Sequence, residues 1–116
     1  MGESDFLRGE TTQQGIQTSI GLIQQTVDLQ PGNEVEIAVR ADDIGFIPDV
    51  VGNAAIQQRF FQGAYYLYRL KLDTGQVMHA LKSHTERLET GTRVKVYLSA
   101  GHDLAVFREG CAIRSL

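Results

Sequence analysis

The sequence predicts an all-β domain, built as a small barrel, from two observations. The first is a phrase that occurs twice, at residues 29–39 and 88–98, in which a turn containing Gly precedes a strand whose every second residue is aliphatic. Such alternation places one face of each strand in a core. The second is that turn residues interrupt the chain at the spacing typical of barrels. Two equivalent strands in one short chain therefore favour a small barrel.

Each element follows from alternation and from the turn residues that bound it. In chain order we expect strands at residues 6–12, 15–25, 34–40, 54–61, 64–72, 76–81, 94–100 and 104–108. After the third strand, residues 42–46 are predicted to make a turn or one helical turn, and residues 47–53 a loop marked by Pro48 and Gly52. The strands thus account for most of the chain.

The second half carries the remaining turn predictions. Gly63 is expected to break a strand as a bulge or a barrel corner, and the Asp73-Thr74-Gly75 segment to close a hairpin. Residues 83–89 are the one short helix that the pattern allows, with Ser83 or Thr85 as its cap. Residues 101–103 are predicted to join the last two strands as a second hairpin.

Composition limits the function. The chain of 116 residues suits a single domain spanning 1–116, and its 14 acidic against 11 basic side chains give a net charge of −3. This balance disfavours nucleic acid, whose binding depends on cationic neutralisation of phosphates. No apolar run approaches the roughly 20 residues that span a bilayer. The single cysteine, Cys111, fits a reducing cytoplasm and is interpreted as an inert side chain.

The motifs of catalysis and cofactor binding are absent from the sequence. There is no phosphate-binding Gly-rich loop and no dinucleotide fingerprint. His79, His84 and His102 lie in separate segments without zinc-ligand spacing. We expect His79 to be a hydrogen-bonded strand residue and the other two to be solvated. The sequence therefore predicts no catalytic residue, no cofactor and no metal.

Two clusters have both a functional and a structural interpretation. Asp42 and Asp43 could serve in acid–base chemistry, but consecutive residues after a strand diverge and Asp is a preferred helix cap, so capping is favoured. An aromatic group on two strands could stack on single-stranded nucleic acid, but packing in the core and at an interface is favoured. Its members are Phe60, Phe61, Tyr65, Tyr66 and Tyr68.

Five short motifs in order resemble one known family over nearly the whole chain. The segments are 5–9, 40–44, 60–63, 70–75 and 106–109. They resemble the transport-associated OB-type (TOBE) domain at the C-terminus of ATP-binding subunits of bacterial ABC importers for sugars, ferric iron or polyamines. The matching positions are Phe6, Leu7, Gly9, Arg40, Asp42, Asp43, Ile44, Gly63, Gly75, Phe107 and Arg108. The sequence departs from the family pattern at Asp5, Arg8, Ala41 and Asp42.

This resemblance implies an OB-like barrel that is one piece of a longer ATPase subunit. The motor domain, with its ATP and Mg²⁺, would precede residue 1, and this piece would regulate the motor and stabilise its dimer without catalysis. It would lie in the cytoplasm, peripheral to the inner membrane through the permease subunits, and could meet a regulatory protein or ligand. The motif around Gly63 is more similar to the ferric-iron and polyamine branches than to the maltose branch.

A second copy of the chain is the partner that the resemblance favours. We expect the contact to use large apolar residues that one small barrel cannot all bury. The candidates are Phe46, Ile47, Phe60, Phe61 and Tyr65. The alternative function is a stand-alone OB-type module that binds a small oxyanion or single-stranded nucleic acid, although the Ser-Ala-Arg-Asn-like phrase of molybdate-binding relatives is missing here.

Overall fold

Within residues 4–116, eleven strands form two antiparallel sheets. The structure, a computed structural model, describes residues 4–116. The strands are β1 (Ser4–Thr11), β2 (Ile16–Thr18), β3 (Gly21–Ile23), β4 (Glu34–Arg40), β5 (Ile44–Pro48), β6 (Ala54–Gln62), β7 (Tyr65–Leu72), β8 (Val77–Ser83), β9 (Arg93–Leu98), β10 (Ala105–Arg108) and β11 (Cys111–Ile113). A single turn of 3-10 helix, Ala41–Asp43, links β4 to β5. The all-β prediction is confirmed.

The two sheets share one hydrophobic core. The first sheet has the order β11-β10-β4-β1-β2-β3 and the second the order β5-β9-β6-β7-β8. Leu7 and Ile37 of the first sheet and Phe46, Tyr68 and Leu70 of the second are all fully buried in the same cluster. The rings of Phe46 and Tyr68 meet edge to face at 5.1 Å between centroids. Burial of this apolar surface is the main stabilising contribution to the fold.

The repeated phrase forms the same structure twice, once in each sheet. Gly32 and Gly91 have φ of +93° and +92°, a conformation that side chains other than glycine adopt at a cost. In the strands that follow, β4 buries Val35, Ile37 and Val39 as predicted, and β9 buries Val94 and Val96 but leaves Leu98 partly exposed. The face predicted for β7 is also confirmed, since Tyr68, Leu70 and Leu72 are buried while Arg69 and Lys71 are exposed.

The strand predicted at residues 15–25 is wrong, because the segment folds into a short hairpin of β2 and β3. The Thr18 hydroxyl donates to the Gly21 carbonyl at 2.7 Å and accepts the Ile20 N–H at 3.2 Å. A threonine side chain that bonds local backbone in this way competes with an extended ladder. The turn at Ser19 and Ile20 follows from these bonds.

Residues 44–48 form strand β5, where a turn and a loop were predicted. The strand pairs with β9 from Ile44 opposite Leu98 to Pro48 opposite Val94. Phe46 is therefore fully buried, and the prediction that it contacts a second copy is wrong. The alternation Ile44, Phe46 is too short to reveal the strand, and its partner strand is some fifty residues away in the chain.

Gly63 occupies a hairpin turn and not a bulge or barrel corner. Gln62 pairs with Tyr65, so Gly63 and Ala64 are the two loop residues between β6 and β7, and φ of Gly63 is +74°. Two-residue hairpins favour glycine because their turn needs positive φ. The irregular register of β6 lies instead between Ile56 and Gln58.

The helix predicted at residues 83–89 does not form. Side chains of the second sheet bond the backbone of this segment instead. The Arg59 guanidinium donates to the Leu88 carbonyl at 2.8 Å. The Tyr68 hydroxyl accepts the Leu88 N–H at 3.0 Å and lies 3.1 Å from the Glu86 carbonyl, to which it donates. These bonds give the backbone groups of Glu86 and Leu88 their partners while the segment follows an irregular path. Helical hydrogen bonds are therefore not needed there.

The second predicted hairpin, at residues 94–108, is also wrong. Strand β9 pairs with β5 and β6 in one sheet, whereas β10 pairs with β4 and β11 in the other. Residues 99–104 are therefore a crossover between sheets, named here the crossover segment. The turn residues at 101–103 indicated a chain reversal, but they could not show which strands would pair with β9 and β10.

Candidate functional site

The turn after β4 is the first component of the candidate site. The Asp43 carboxylate accepts the Arg40 N–H at 2.9 Å through Oδ2, and Asp43 is 4% exposed. Asp42 points elsewhere, since its side chain is 65% exposed and its Oδ1 lies 3.7 Å from Nε of Arg40. The capping interpretation of the acidic pair is thus supported for Asp43. Residues 40–43 are named the corner.

The corner faces the outer surface of the second sheet across a small cavity. The cavity has a volume of about 200 Å³ and is lined by Arg40, Ala41, Asp42, Gln62, Leu67, His79 and Leu81. Leu67 and Leu81 sit opposite each other on β7 and β8 and form its apolar wall. The polar groups that line it are the Arg40 guanidinium, the Asp42 carboxylate, the Gln62 amide and the His79 imidazole. Ligand sites of drug size occupy about 300–1,000 Å³, so this cavity suits a small ligand.

His79 belongs to a junction between the two sheets. Its N–H donates to Asp5 Oδ2 at 2.8 Å, and its Nδ1 lies 3.1 Å from the same oxygen. Its ring is 26% exposed and its Nε2 makes no hydrogen bond within residues 4–116. The prediction of a hydrogen-bonded strand histidine agrees with this geometry.

The ion pair in the cavity leaves Arg40 accessible to a ligand. The side chains of Arg40 and Asp42 are 58% and 65% exposed. Exposed pairs of this kind are worth only about 0–1 kcal/mol. An anion of higher total charge could therefore replace the carboxylate at little cost.

A larger cleft on the first sheet is chemically less suited to an anion. It measures about 700 Å³ and contains Arg8 and Arg108. Three carboxylates, of Glu34, Glu36 and Glu109, line the same cleft. They outnumber the guanidinium groups, so the cleft repels anions at neutral pH.

The structure brings only some of the motif residues together. Arg40, Asp42 and Asp43 share the corner, and Ile44 is buried next to it. The rings of Phe6 and Phe107 meet on the outer face of the first sheet at 6.2 Å. Other motif positions serve the fold: Leu7 is buried, Gly63 and Gly75 occupy hairpin turns, and Arg108 lies at the end of β10.

Gly9 is a packing position. A Cβ there would lie 2.6 Å from the Ile16 side chain, so glycine permits the close approach of β1 and β2.

Four of the five residues proposed to contact a second copy are exposed. These are Ile47, Phe60, Phe61 and Tyr65. Tyr68 of the aromatic cluster is fully buried and Tyr66 packs between it and Phe61. The contact between copies stays a prediction for these four residues.

The sequence did not single out three of the cavity's residues. Gln62, Leu67 and Leu81 carry no chemical signature, and only the pairing of β6, β7 and β8 places them together. Their alternation indicates a strand face, but it does not show that the corner lies against that face. No group of three or more metal-ligating side chains occurs in the part of the chain that the structure describes.

The family is decided by direct comparison. The model of the TOBE domain family matches residues 37–107, which include the corner and strands β5 to β9. This chain belongs to the TOBE domain family. TOBE domains are binding modules, not catalytic ones. No curated protein matches the sequence.

The TOBE domain also matches a solved structure over most of its length. The molybdate-bound, PEG-grown crystal form of the cytoplasmic molybdate-binding protein ModG aligns with a TM-score of 0.68 and 11% identity, over 91% of this chain and 96% of that chain. At this identity the likeness establishes the fold.

The comparison with ModG corrects the expected function. The chain was predicted to be the regulatory, dimer-stabilising domain of an importer ATPase subunit. The similar structure instead belongs to a molybdate-binding protein, and nothing in the comparisons provides the ATPase context. Several motif positions behind that prediction, such as Leu7, Ile44 and Gly63, are core or turn residues, so they indicate the fold and not the ATPase context. In the described residues, no helix is long and apolar enough to cross a membrane.

Proposed function

We propose that this TOBE domain is a cytoplasmic binding module for a small inorganic oxyanion. The observation that supports the proposal most directly is the shared fold, over nine tenths of the chain, with a structure that holds molybdate. The chain's own residues supply a compatible site at the corner. Binding, without chemistry, is the function of such a module.

The cavity offers the donors that an oxyanion needs. Arg40 presents a guanidinium that carries several N–H donors and is never neutral in water. The Gln62 amide adds further donors, and the His79 ring adds one more through Nε2 when it is protonated. A volume of about 200 Å³ accommodates a tetrahedral ion with water and excludes a nucleotide.

The surrounding charge sets the expected behaviour. The chain has a net charge of −3, and Asp42 lines the cavity, so long-range attraction does not assist binding. Binding must come from short-range hydrogen bonds and from displacement of the Asp42 carboxylate from Arg40. We therefore expect moderate affinity that weakens as added salt screens the guanidinium.

Calorimetric titration with sodium molybdate, sulfate and phosphate, each against sodium chloride, tests the proposal. We expect saturable binding of at least one oxyanion and a rise in melting temperature, since a ligand at 100 times its Kd adds about 2.7 kcal/mol of stability. Arg40→Gln should weaken binding by at least about tenfold, the loss of one charge-assisted contact. Arg69→Gln is the matched control, because Arg69 is exposed on β7 outside the cavity and its side chain bonds only Gln58 within residues 4–116.

One result would contradict the oxyanion function, and a second would contradict its site in the cavity. One is the absence of heat and of thermal stabilisation with every oxyanion at millimolar concentration. The other is equal weakening by Arg40→Gln and Arg69→Gln, which would place the anion elsewhere. A thymidine oligonucleotide belongs in the same series, and its binding would favour the nucleic-acid alternative over the oxyanion.

A further inference from the structure

The crossover segment is tied at three points to the corner and to Gln25, which follows β3. The Ser99 N–H donates to the Asp43 carbonyl at 2.7 Å. The Leu104 N–H donates to Oε1 of the buried Gln25 at 2.8 Å, and the amide of Gln25 donates back to the Leu104 carbonyl at 2.7 Å. Between these two anchors, His102 contacts Asp43. Of the three contacts, the one between His102 and Asp43 can change with protonation.

Both ring nitrogens of His102 face oxygen acceptors. Nδ1 lies 2.8 Å from the Asp103 carbonyl and Nε2 lies 3.1 Å from Oδ1 of Asp43. A carbonyl cannot donate, and an ionised carboxylate cannot either. Only the imidazolium donates to both, whereas either neutral tautomer leaves one nitrogen lone pair against an oxygen. The geometry therefore favours the protonated ring.

The charges around the ring act in the same direction. The hydrogen bond to the Asp103 carbonyl, then the Asp43 carboxylate, and more weakly Asp42, raise the pKa of His102 above its ordinary value. Arg40 is the cation that pairs with Asp42, at 3.7 Å. The neighbouring residues 22–25, which line a cleft with His102, bring no charge.

Asp43 transmits this contact to the cavity. Its Oδ1 meets His102, while its Oδ2 accepts the N–H of Arg40 at 2.9 Å. Asp43 is 4% exposed, whereas the side chain of His102 is 62% exposed, so the contact joins a buried carboxylate to a ring at the surface. One buried carboxylate thus joins the crossover segment to the residue whose side chain lines the cavity.

We infer that His102 and Asp43 form a pH-sensitive clasp, which holds the crossover segment against the corner when the ring is protonated and loosens it when the ring is neutral. The clasp stands on these contacts alone. Only its effect on ligand binding rests on the proposed function.

The sign of the pH dependence follows from linkage. The folded-state pKa lies above the unfolded value of about 6.5, so the stabilisation is fully present below about pH 6.5. It is lost as the pH rises through the folded-state pKa. The clasp is therefore closed in mildly acidic solution and open in alkaline solution.

Thermal unfolding of the ligand-free chain between about pH 6 and pH 9 tests the clasp. The melting temperature of the wild type should exceed that of His102→Gln at the acid end, and the two should converge at the alkaline end. His84→Gln is the control, because His84 is exposed in a turn and its ring bonds nothing within residues 4–116. It should follow the wild type at every pH.

NMR adds a readout that a purely structural role would not move. The backbone amide shifts of Arg40 and Asp43 should titrate with the pKa of the His102 ring and should not titrate so in His102→Gln. The clasp would be overturned if the difference in melting temperature between the wild type and His102→Gln did not change with pH. It would also be overturned if the amide shifts of Arg40 and Asp43 did not titrate with the His102 ring.

Titration with molybdate at both ends of the pH range separates the two proposals. If the site and the clasp are both right, the ratio of affinities between acid and alkaline pH is larger in the wild type than in His102→Gln. Failure to bind any oxyanion would count against the proposed function and would leave the ligand-free readouts to decide the clasp.

Discussion

The two copies of the repeated phrase have the same local structure and different positions in the fold. Each residue of the first copy has its counterpart 59 positions later, as Leu29 and Leu88 show. Strand β4 lies inside the six-stranded sheet between β10 and β1, whereas β9 lies between β5 and β6. The first buries all three of its aliphatic residues, and the second leaves Leu98 partly exposed.

The ends of the two copies converge. Continuing the same offset, Asp43 after the first copy corresponds to His102 after the second, and these two side chains meet at 3.1 Å. Similar strands thus deliver opposite chemical groups, an acid and a base, to one point between the sheets. Alternation therefore determines where a strand forms, while the residues that follow the strand determine which chemical groups stand at its end.

Substitutions at equivalent core positions of the two copies should have the largest effects on the free energy of unfolding. Ile37→Ala should lower the free energy of unfolding by about 2–5 kcal/mol, because it leaves a cavity at a fully buried position. Its counterpart Val96→Ala removes less volume and should cost about 2 kcal/mol. Urea unfolding measures both values, with Glu36→Ala as an exposed control on β4. A larger loss at Val96 would mean that the second copy carries the tighter core.

Substitutions of the two acidic residues at the corner should have smaller effects on stability, and the two effects should differ. Asp43→Ala leaves the Arg40 N–H without its acceptor and removes the partner of His102, so we expect a loss of about 1–3 kcal/mol. Asp42→Ala removes only an exposed ion pair and should cost under about 1 kcal/mol. Unfolding curves near neutral pH compare the two. Equal losses would argue against convergence of the copies on Asp43.

Substitution of the glycines in the two turns should have the smallest effect on stability, and the effect should be the same in both copies. Gly32→Ala and Gly91→Ala should each cost about 1 kcal/mol, from positive φ alone. In the described part of the chain, no atom other than those of the adjacent residues lies within 4 Å of the added Cβ at either position. Thermal unfolding measures both variants. A difference of more than about 0.5 kcal/mol between them would show that the two turns are not equivalent.

The sequence alone determined the elements whose signal is local. Alternation revealed β4, β7 and β9, and turn residues located the hairpin at Gly75, because a strand with one buried face and a tight turn each leave a short-range pattern. The order of motifs along the chain also identified the TOBE family. The membership of Arg40, Asp42 and Asp43 in one corner followed from their adjacency.

Tertiary structure decided what depended on partners distant in the chain. It turned residues 44–48 into a strand by pairing them with β9, and it replaced the predicted helix at residues 83–89 by side-chain bonds from Arg59 and Tyr68. It sent β9 and β10 to different sheets, and so made residues 99–104 a crossover that carries His102 to Asp43. Pairing and burial are set by contacts between segments many residues apart, and neither alternation nor turn chemistry records which segments will meet.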